Sequence, residues 1–299
     1  MKRIGYSILN IIVMSKIKVL VPFFIVFFGF AANAQKTKEK KNTNPKVTDI
    51  WVVFRTHFDL GFTDLPENVF KRYREEMMDN ALMLIEKNET QPKEKRFSWN
   101  VAGWPLQAQM LGPLQTPERK LRIEKAIKEG KLVADGLPFT IQTESLDFED
   151  LVRGLGFSSA ISRKYGVQLA ISAKMADVPS HSWILPTLLK NAGVQFLQLG
   201  CNPASQYPRF PDLFWWEGPD GSKVLCNYTH LYGSGIKPPA NWPSKNYLAM
   251  EMTNDNQGPP TSKDIDKLLA DAARELPSVK IHFATLDDFE IGRASCRER

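Results

Sequence analysis

Strand-like and helix-like segments alternate through most of the chain, and this alternation constrains the fold more than any other feature. Short apolar runs predict seven strands, at residues 50–55, 96–101, 132–134, 168–175, 194–199, 248–252 and 279–283. Amphipathic segments predict the intervening helices, at residues 66–87, 117–129, 145–164, 182–191 and 262–275. A hairpin is expected at residues 215–228. Strands that alternate with helices through short connections predict a parallel α/β fold, here an irregular seven-stranded β/α barrel.

The N-terminal segment has the pattern of a secretory signal peptide. Residues 1–34 combine four basic residues with an apolar run and end in Ala32-Asn33-Ala34, which is typical of a cleavage site. We therefore expect an exported protein, cleaved near Ala34, with no stable membrane anchor. Residues 35–46 are cationic and polar, which predicts a disordered linker.

The C-terminal segment has a sequence that is not typical of a folded domain. Residues 291–299 look like the translation of a sequencing adapter and are predicted to be an artefact, the alternative being a genuine basic C-terminus. The folded domain is then expected to span residues 47–290 and to be incomplete at its C-terminal end.

The formal net charge of +6 comes from these two ends of the chain. They contain seven Lys or Arg and one acidic residue, which leaves 32 of each kind in the remainder. A neutral domain gives no electrostatic reason to expect a nucleic-acid partner. The remainder also contains Cys201 and Cys226, which could form a disulfide in an exported protein or be two buried thiols.

His57 and Asp59 follow the first predicted strand. Alternate residues of a strand point to the same face, so an imidazole and a carboxylate converge at the strand's end. This donor pair suits a divalent metal such as zinc. The alternative is a packing histidine beside an aspartate that caps the next helix.

Asp177 and Asp255 also follow predicted strands. In a β/α barrel the chemistry is located at the carboxyl ends of the strands. His57, Asp59, Asp177 and Asp255 are therefore expected on one rim.

Five segments carry a family resemblance. They are His57-Phe58-Asp59 and residues 177–182 (Asp-Val-Pro-Ser-His-Ser), 185–193, 214–222 and 254–261. In this order they resemble motifs of the N-terminal catalytic domain of glycoside hydrolase family 38, the retaining α-mannosidases. The resemblance covers roughly residues 50–290. It implies a barrel of the glycoside hydrolase and deacetylase type.

The resemblance also implies roles for individual residues. His57, Asp59 and Asp177 would bind Zn²⁺, and Asp177 would also be the nucleophile that forms a covalent glycosyl-enzyme. Asp255 would be the acid/base. In retaining enzymes the two carboxyl groups are about 5–5.5 Å apart.

The chain departs from the family pattern at several positions. Val178 and Ser180 replace a proline and a glycine of the turn, and the glycine-rich loop around Asp255 is reduced. The substrate therefore need not be an α-mannoside. The family's fourth zinc ligand is a histidine that lies beyond the end of this chain. Residues 35–290 alone are thus expected to bind zinc weakly, to aggregate and to be nearly inactive.

Three further residues are predicted to bind substrate: Trp104, Glu144 and His181. Each has an alternative interpretation. Trp104 could be a packing residue, Glu144 could favour a helix N-terminus by its charge, and His181 could hold the turn after Asp177 by hydrogen bonds. His230 is predicted to be a loop residue and His282 a packing residue.

The leading hypothesis is an exported, zinc-dependent retaining glycoside hydrolase with a carbohydrate substrate. A metal-dependent carbohydrate deacetylase is an alternative enzyme, since it shares this barrel and an Asp/His metal site. A non-catalytic carbohydrate-binding remnant is a third hypothesis. The sequence indicates no oligomeric state.

Overall fold

The computed structural model describes residues 46–178, 180–209 and 211–295. The predicted signal peptide, residue positions 35–45 of the predicted linker and the last four residues of the predicted artefact lie outside these ranges. Within them, no helix combines the length and the apolar character that a membrane crossing requires.

Nine strands are present in the described ranges: β1 (Asp49–His57), β2 (Trp99–Val101), β3 (Leu132–Ala134), β4 (Ser172–Ala176), β5 (Phe196–Gly200), β6 (Leu213–Glu217), β7 (Lys223–Thr229), β8 (Asn246–Asp255) and β9 (Lys280–Phe283). The helices are α1 (Pro66–Arg74), α2 (Glu76–Lys87), α3 (Gly103–Pro105), α4 (Pro117–Lys128), α5 (Phe148–Gly154), α6 (Gly156–Tyr165), α7 (Leu185–Asn191), α8 (Ser262–Glu275) and α9 (Leu286–Ser295). A 3-10 turn at Lys93–Lys95 and a π turn at Leu106–Met110 complete the set.

Hydrogen bonds group the strands into two sheets. The first has the parallel order β3-β2-β1-β8, and β9 pairs with the first half of β1 on the edge that β2 uses further along. In the second sheet β4, β5 and β7 are parallel, and β6 is antiparallel to β7. The predicted parallel α/β fold is therefore confirmed. Closure into a seven-stranded barrel is not, because the described strands form two sheets.

The predicted hairpin is confirmed as the antiparallel pair β6 and β7, but it is also part of the parallel sheet. Its second strand, β7, pairs with β5 in register from Phe196 opposite Leu225 to Gly200 opposite Thr229. Single backbone hydrogen bonds connect the two sheets on both sides. Gly136 donates to the carbonyl of Ser172 at 2.8 Å, and Ser234 donates to that of Met250 at 3.1 Å.

Two predicted helices are each divided in the structure. The segment 66–87 is interrupted at Glu75, whose φ of −110° and ψ of −89° are not helical. The segment 145–164 starts later, with Asp147 as its N-cap, and is interrupted at Leu155. Leu155 lies between two glycines, and glycine is unfavourable in a helix interior by about 1 kcal/mol relative to alanine.

The interior contains a buried ion pair below the carboxyl end of β1. Arg55 of β1 donates to the carboxylate of Asp135, and the two side chains are 5% and 2% exposed. Asp135 follows β3 and also accepts a hydrogen bond from the backbone of Leu137. The sequence did not single out either residue.

Helix α9 was not predicted. Its Phe289 packs against Phe196 with the ring centroids 5.2 Å apart, and its Asp287 accepts a hydrogen bond from the hydroxyl of Ser172. The helix therefore packs against the start of the second sheet. It extends into residues 291–295, whose origin as an artefact stays a prediction.

Candidate functional site

The register of two neighbouring parallel strands builds the site. β1 and β8 pair along their whole length, from Asp49 opposite Asn246 to His57 opposite Asp255. The register shifts between Thr56 and His57, so the two final residues lie side by side at the carboxyl end of the sheet. The apolar pattern of β1 keeps the strand buried up to and including His57.

His57, Asp59 and Asp255 form a cluster with metal-ligand chemistry. One nitrogen or oxygen from each of these side chains lies within 4.8 Å of the others. His57 Nε2 is 3.0 Å from Asp59 Oδ1, and His57 Nδ1 is buried without a hydrogen-bond partner among the described residues. An imidazole and two carboxylates are ligands that zinc accepts. A buried ring nitrogen without a hydrogen-bond partner still needs one, and a metal ion can be that partner. The residues therefore fit the implied metal.

Asn256 fixes the loop that carries Asp59. Its side chain is fully buried, accepts from the backbone N–H of Asp59 at 3.0 Å and donates to the carbonyl of Asp59 at 2.8 Å. Its own backbone N–H donates to the carbonyl of His57 at 2.8 Å. Asn256 has a φ of 53°, a left-handed conformation that asparagine tolerates better than most residues.

Asp177 lies next to this cluster but outside the metal-ligand group. It directly follows β4, has a φ of 78°, and donates from its backbone to the carbonyl of Gly200 at 2.9 Å. Its Oδ1 accepts hydrogen bonds from Asn202 Nδ2 and from the hydroxyl of Tyr232. The ring of Tyr232 is 4.7 Å from that of His57, so one side chain contacts both parts of the site.

The electrostatics couple the carboxylates. Burial raises the pKa of the Asp255 carboxyl; His57 opposes this shift, and the nearby carboxylates of Asp59 and Asp177 add to it. Burial and the hydrogen bond to Asp177 raise the pKa of the Tyr232 hydroxyl well above its usual value. This hydroxyl is therefore a permanent hydrogen-bond donor at neutral pH.

Lys174 lies below the carboxylates on β4 and is 2% exposed. Burial and the positive charge of Arg55 lower the pKa of its ammonium group, while the carboxylates of the site oppose that shift. Lys174 pairs in register with Gln198 of β5, which is also fully buried. The floor of the site is thus polar.

A cavity of about 480 Å³ opens at the site. His57, Tyr232 and Asp255 line it, together with the segment around Gly233 and the end of β8. Its volume lies within the range of small-molecule pockets.

The three predicted substrate-binding residues lie around the site and not in the carboxylate cluster. Trp104 belongs to an aromatic group, with its ring 6.1 Å from Phe58 and 5.8 Å from Phe139. Glu144 accepts a hydrogen bond from Ser180 at 2.9 Å. Burial lowers the pKa of His181 to about 4, and its Nδ1 has no partner among the described residues. Their roles in binding stay predictions.

The remaining histidines and cysteines have packing roles. His282 bonds Asp49 at 2.8 Å and stacks on Trp51 at 4.7 Å, which confirms the packing prediction. His230 lies in an exposed loop, as predicted, and its ring centroid is 5.1 Å from that of Tyr207. Cys201 and Cys226 are both free and buried, which agrees with the alternative of two buried thiols.

Residues 47–266 match the family model described as the Glycosyl hydrolases family 38 N-terminal domain. No curated protein matches the chain. Two similar solved structures come from Enterococcus faecalis. One is an α-mannosidase of strain V583, with a TM-score of 0.66 and 22% identity over 83% of this chain and 29% of that one. The other is a protein in glycosyl hydrolase family 38, with a TM-score of 0.58 and 20% identity over 84% and 28%.

A third similar structure is a polysaccharide deacetylase candidate from Mycobacterium smegmatis. It has a TM-score of 0.50 and 10% identity, over 85% of this chain and 93% of that one. At these identities the three structures show the fold alone. The chain spans less than a third of the length of the two Enterococcus structures.

Proposed function

This chain belongs to glycosyl hydrolase family 38 through its N-terminal domain, and we propose that it forms the catalytic domain of an exported, zinc-dependent retaining glycosidase of the α-mannosidase type. The observation that carries the proposal is the cluster of His57, Asp59 and Asp255, of which His57 and Asp255 line the cavity, with Asp177 beside it. Because the chain spans less than a third of its structural relatives, we propose this activity for the natural protein that contains the domain, and low activity for residues 35–290 alone.

We propose that His57, Asp59 and Asp177 hold the zinc ion. When bound, zinc would supply Lewis-acid stabilisation of substrate oxygens. The protein's part is to fix the ligands: Asn256 holds the backbone on both sides of Asp59, and Tyr232 packs against His57. Asp255 also lies within 4.8 Å of the ligand atoms of His57 and Asp59, but this proposal assigns it to proton transfer.

Asp177 is the proposed nucleophile and Asp255 the proposed acid/base. In the first step a carboxylate oxygen of Asp177 attacks the anomeric carbon, the glycosidic bond breaks, and Asp255 gives its proton to the leaving oxygen. In the second step Asp255 takes a proton from water, whose oxygen displaces Asp177. The raised pKa of Asp255 supports the first of its roles, because a proton donor must be protonated near the working pH.

Trapping the glycosyl-enzyme tests the proposed function. A fluorosugar that slows the second step should leave one sugar on Asp177, detected by mass spectrometry of the peptide around it. A protein that binds the sugar without an adduct would be a carbohydrate-binding remnant.

The carbohydrate deacetylase stays the second candidate function. The similarity to the deacetylase candidate covers 93% of that chain, and the cluster of His57, Asp59 and Asp255 also suits a deacetylase metal. Release of acetate from acetylated sugars, with no release of free sugar, would support this candidate against the glycosidase.

Replacing His57 with alanine is expected to weaken zinc binding more than about 100-fold, since residues that only orient a ligand already change affinity by about 10–100-fold. Competition with a coloured chelator measures the dissociation constant. His230→Ala is the matched control, because His230 is exposed and is not a member of the cluster. Unchanged affinity in the His57 variant would contradict the assignment.

Two amide variants identify the third ligand. Asp177→Asn should weaken zinc binding as His57→Ala does, because an amide oxygen carries no charge for the metal. Asp255→Asn should keep the wild-type affinity within a few-fold. The opposite pattern would move the third ligand to Asp255, which the observed cluster also brings close.

A further inference from the structure

Two donors hold a single oxygen of Asp177. Asn202 Nδ2 and the Tyr232 hydroxyl both donate to Oδ1, and these two donor atoms are 3.4 Å apart. Oδ2 accepts no hydrogen bond from the described residues. The carboxylate is therefore fixed by one atom, while its second atom is left available.

The same tyrosine also limits the position of His57. The two ring centroids are 4.7 Å apart and the planes are inclined by 34°, so the phenol ring covers one face of the imidazole. The hydroxyl and the ring of Tyr232 thus contact different functional groups.

The backbone around Tyr232 is held in place by close packing. A Cβ atom on Gly200 would be 2.8 Å from Tyr232 Cα and 2.9 Å from the carbonyl oxygen of Leu231, which is closer than real Cβ atoms approach. On the other side, the Ser234 hydroxyl donates to the carbonyl of Leu248 at 2.8 Å. The carbonyl of Gly200 also accepts a hydrogen bond from the backbone N–H of Asp177, so Gly200 contacts both Asp177 and Tyr232.

From these contacts we propose that Tyr232 is a positioning residue with two separable functions: its hydroxyl, together with Asn202, fixes Asp177 Oδ1 so that Oδ2 is the attacking oxygen, and its ring orients the metal ligand His57. This inference rests on the proposed function. Oδ2 forms the bond to the anomeric carbon, the bond to the leaving oxygen breaks, and Asp255 supplies the proton to that oxygen. Tyr232 keeps its own proton throughout.

Two substitutions separate these functions. Tyr232→Phe removes the hydroxyl and keeps the ring, so kcat should fall by about 100-fold, as expected for a misplaced reacting group. KM should stay near wild type, and zinc binding should weaken less than in Tyr232→Ala, because the phenyl ring still covers His57. Tyr232→Ala also removes the ring, and it should weaken zinc binding by about 10–100-fold, as losses of ligand-orienting residues do. Tyr165→Phe, whose hydroxyl bonds Glu124 away from the site, is the control.

Gly200→Ala tests the close packing around the backbone of Tyr232 without changing a functional group. The added methyl group must displace Tyr232, so kcat should fall as in Tyr232→Phe. Wild-type kcat in Tyr232→Phe overturns the role of the hydroxyl. Equal zinc affinity in the Phe and Ala variants overturns the role of the ring. If the wild-type protein gives no adduct on Asp177, the proposed function is wrong. The comparison of zinc affinities between the Phe and Ala variants still tests the role of the Tyr232 ring in that case.

Discussion

Asp177→Ala should lower kcat by at least about 10⁴-fold on every glycoside that the protein hydrolyses, as removal of a catalytic nucleophile does in other enzymes. The variant keeps Asp255 and its proton but has no group that can form the covalent intermediate. The loss should therefore be equally large for substrates with good and poor leaving groups.

Asp255→Ala provides the contrast within the same experiment. Removing the acid should harm substrates with poor leaving groups most and spare activated aryl glycosides, because these need little proton transfer. A series of aryl glycosides with different leaving groups measures this dependence. Asp266→Ala, an exposed position on α8, is the control for general effects of losing a carboxylate. Residual turnover by Asp177→Ala with retained stereochemistry would show that another residue is the nucleophile.

Asp135→Ala should lower the free energy of unfolding by about 3–5 kcal/mol, because it leaves the guanidinium of Arg55 buried without its partner. The midpoint of urea unfolding, followed by circular dichroism, measures the loss. Asp135→Leu combined with Arg55→Met removes both charges and should recover most of the stability, since the desolvation penalty disappears with the charge.

A surface ion pair is the matched control for this experiment. Arg153 and Glu149 are 2.8 Å apart, with side chains 74% and 61% exposed. Glu149→Ala should change stability by less than about 1 kcal/mol, because solvent screens exposed pairs. If Asp135→Ala has an equally small effect, water must reach Arg55 and the pair is not desolvated.

Much of the site was predictable because the carboxyl ends of parallel strands carry polar residues. His57 and Asp255 end β1 and β8, while Asp59 and Asp177 lie just beyond β1 and β4. The rule that chemistry in a β/α fold lies at the carboxyl ends of the strands placed all four on one edge. Helix α8 was predicted at its observed bounds, and in the structure Thr261 and Asp264 form a capping box at its start.

Other features depend on tertiary contacts that leave no local pattern. Asn202 and Tyr232 lie in irregular segments, and their importance appears only when the chain brings them to Asp177. Asn256 is the neighbour of the predicted Asp255. Its hydrogen bonds to the backbone of His57 and Asp59 nevertheless follow from the β1–β8 register, which the sequence does not display. The parallel pairing of β7 was missed for the same reason: a hairpin pattern describes one neighbour of a strand and not the other.

The pairing of β1 with β8 also has a consequence for the order of folding. Thr56 donates to the carbonyl of Asn254, a residue 198 positions later in the chain. Closing so long a loop is slow, and a ribosome must release nearly the whole domain before β8 can reach β1. The cluster of His57, Asp59 and Asp255 therefore cannot exist in early folding intermediates. A metal that required all three groups would bind only the finished pairing, so it would stabilise the native state without assisting the first steps toward it.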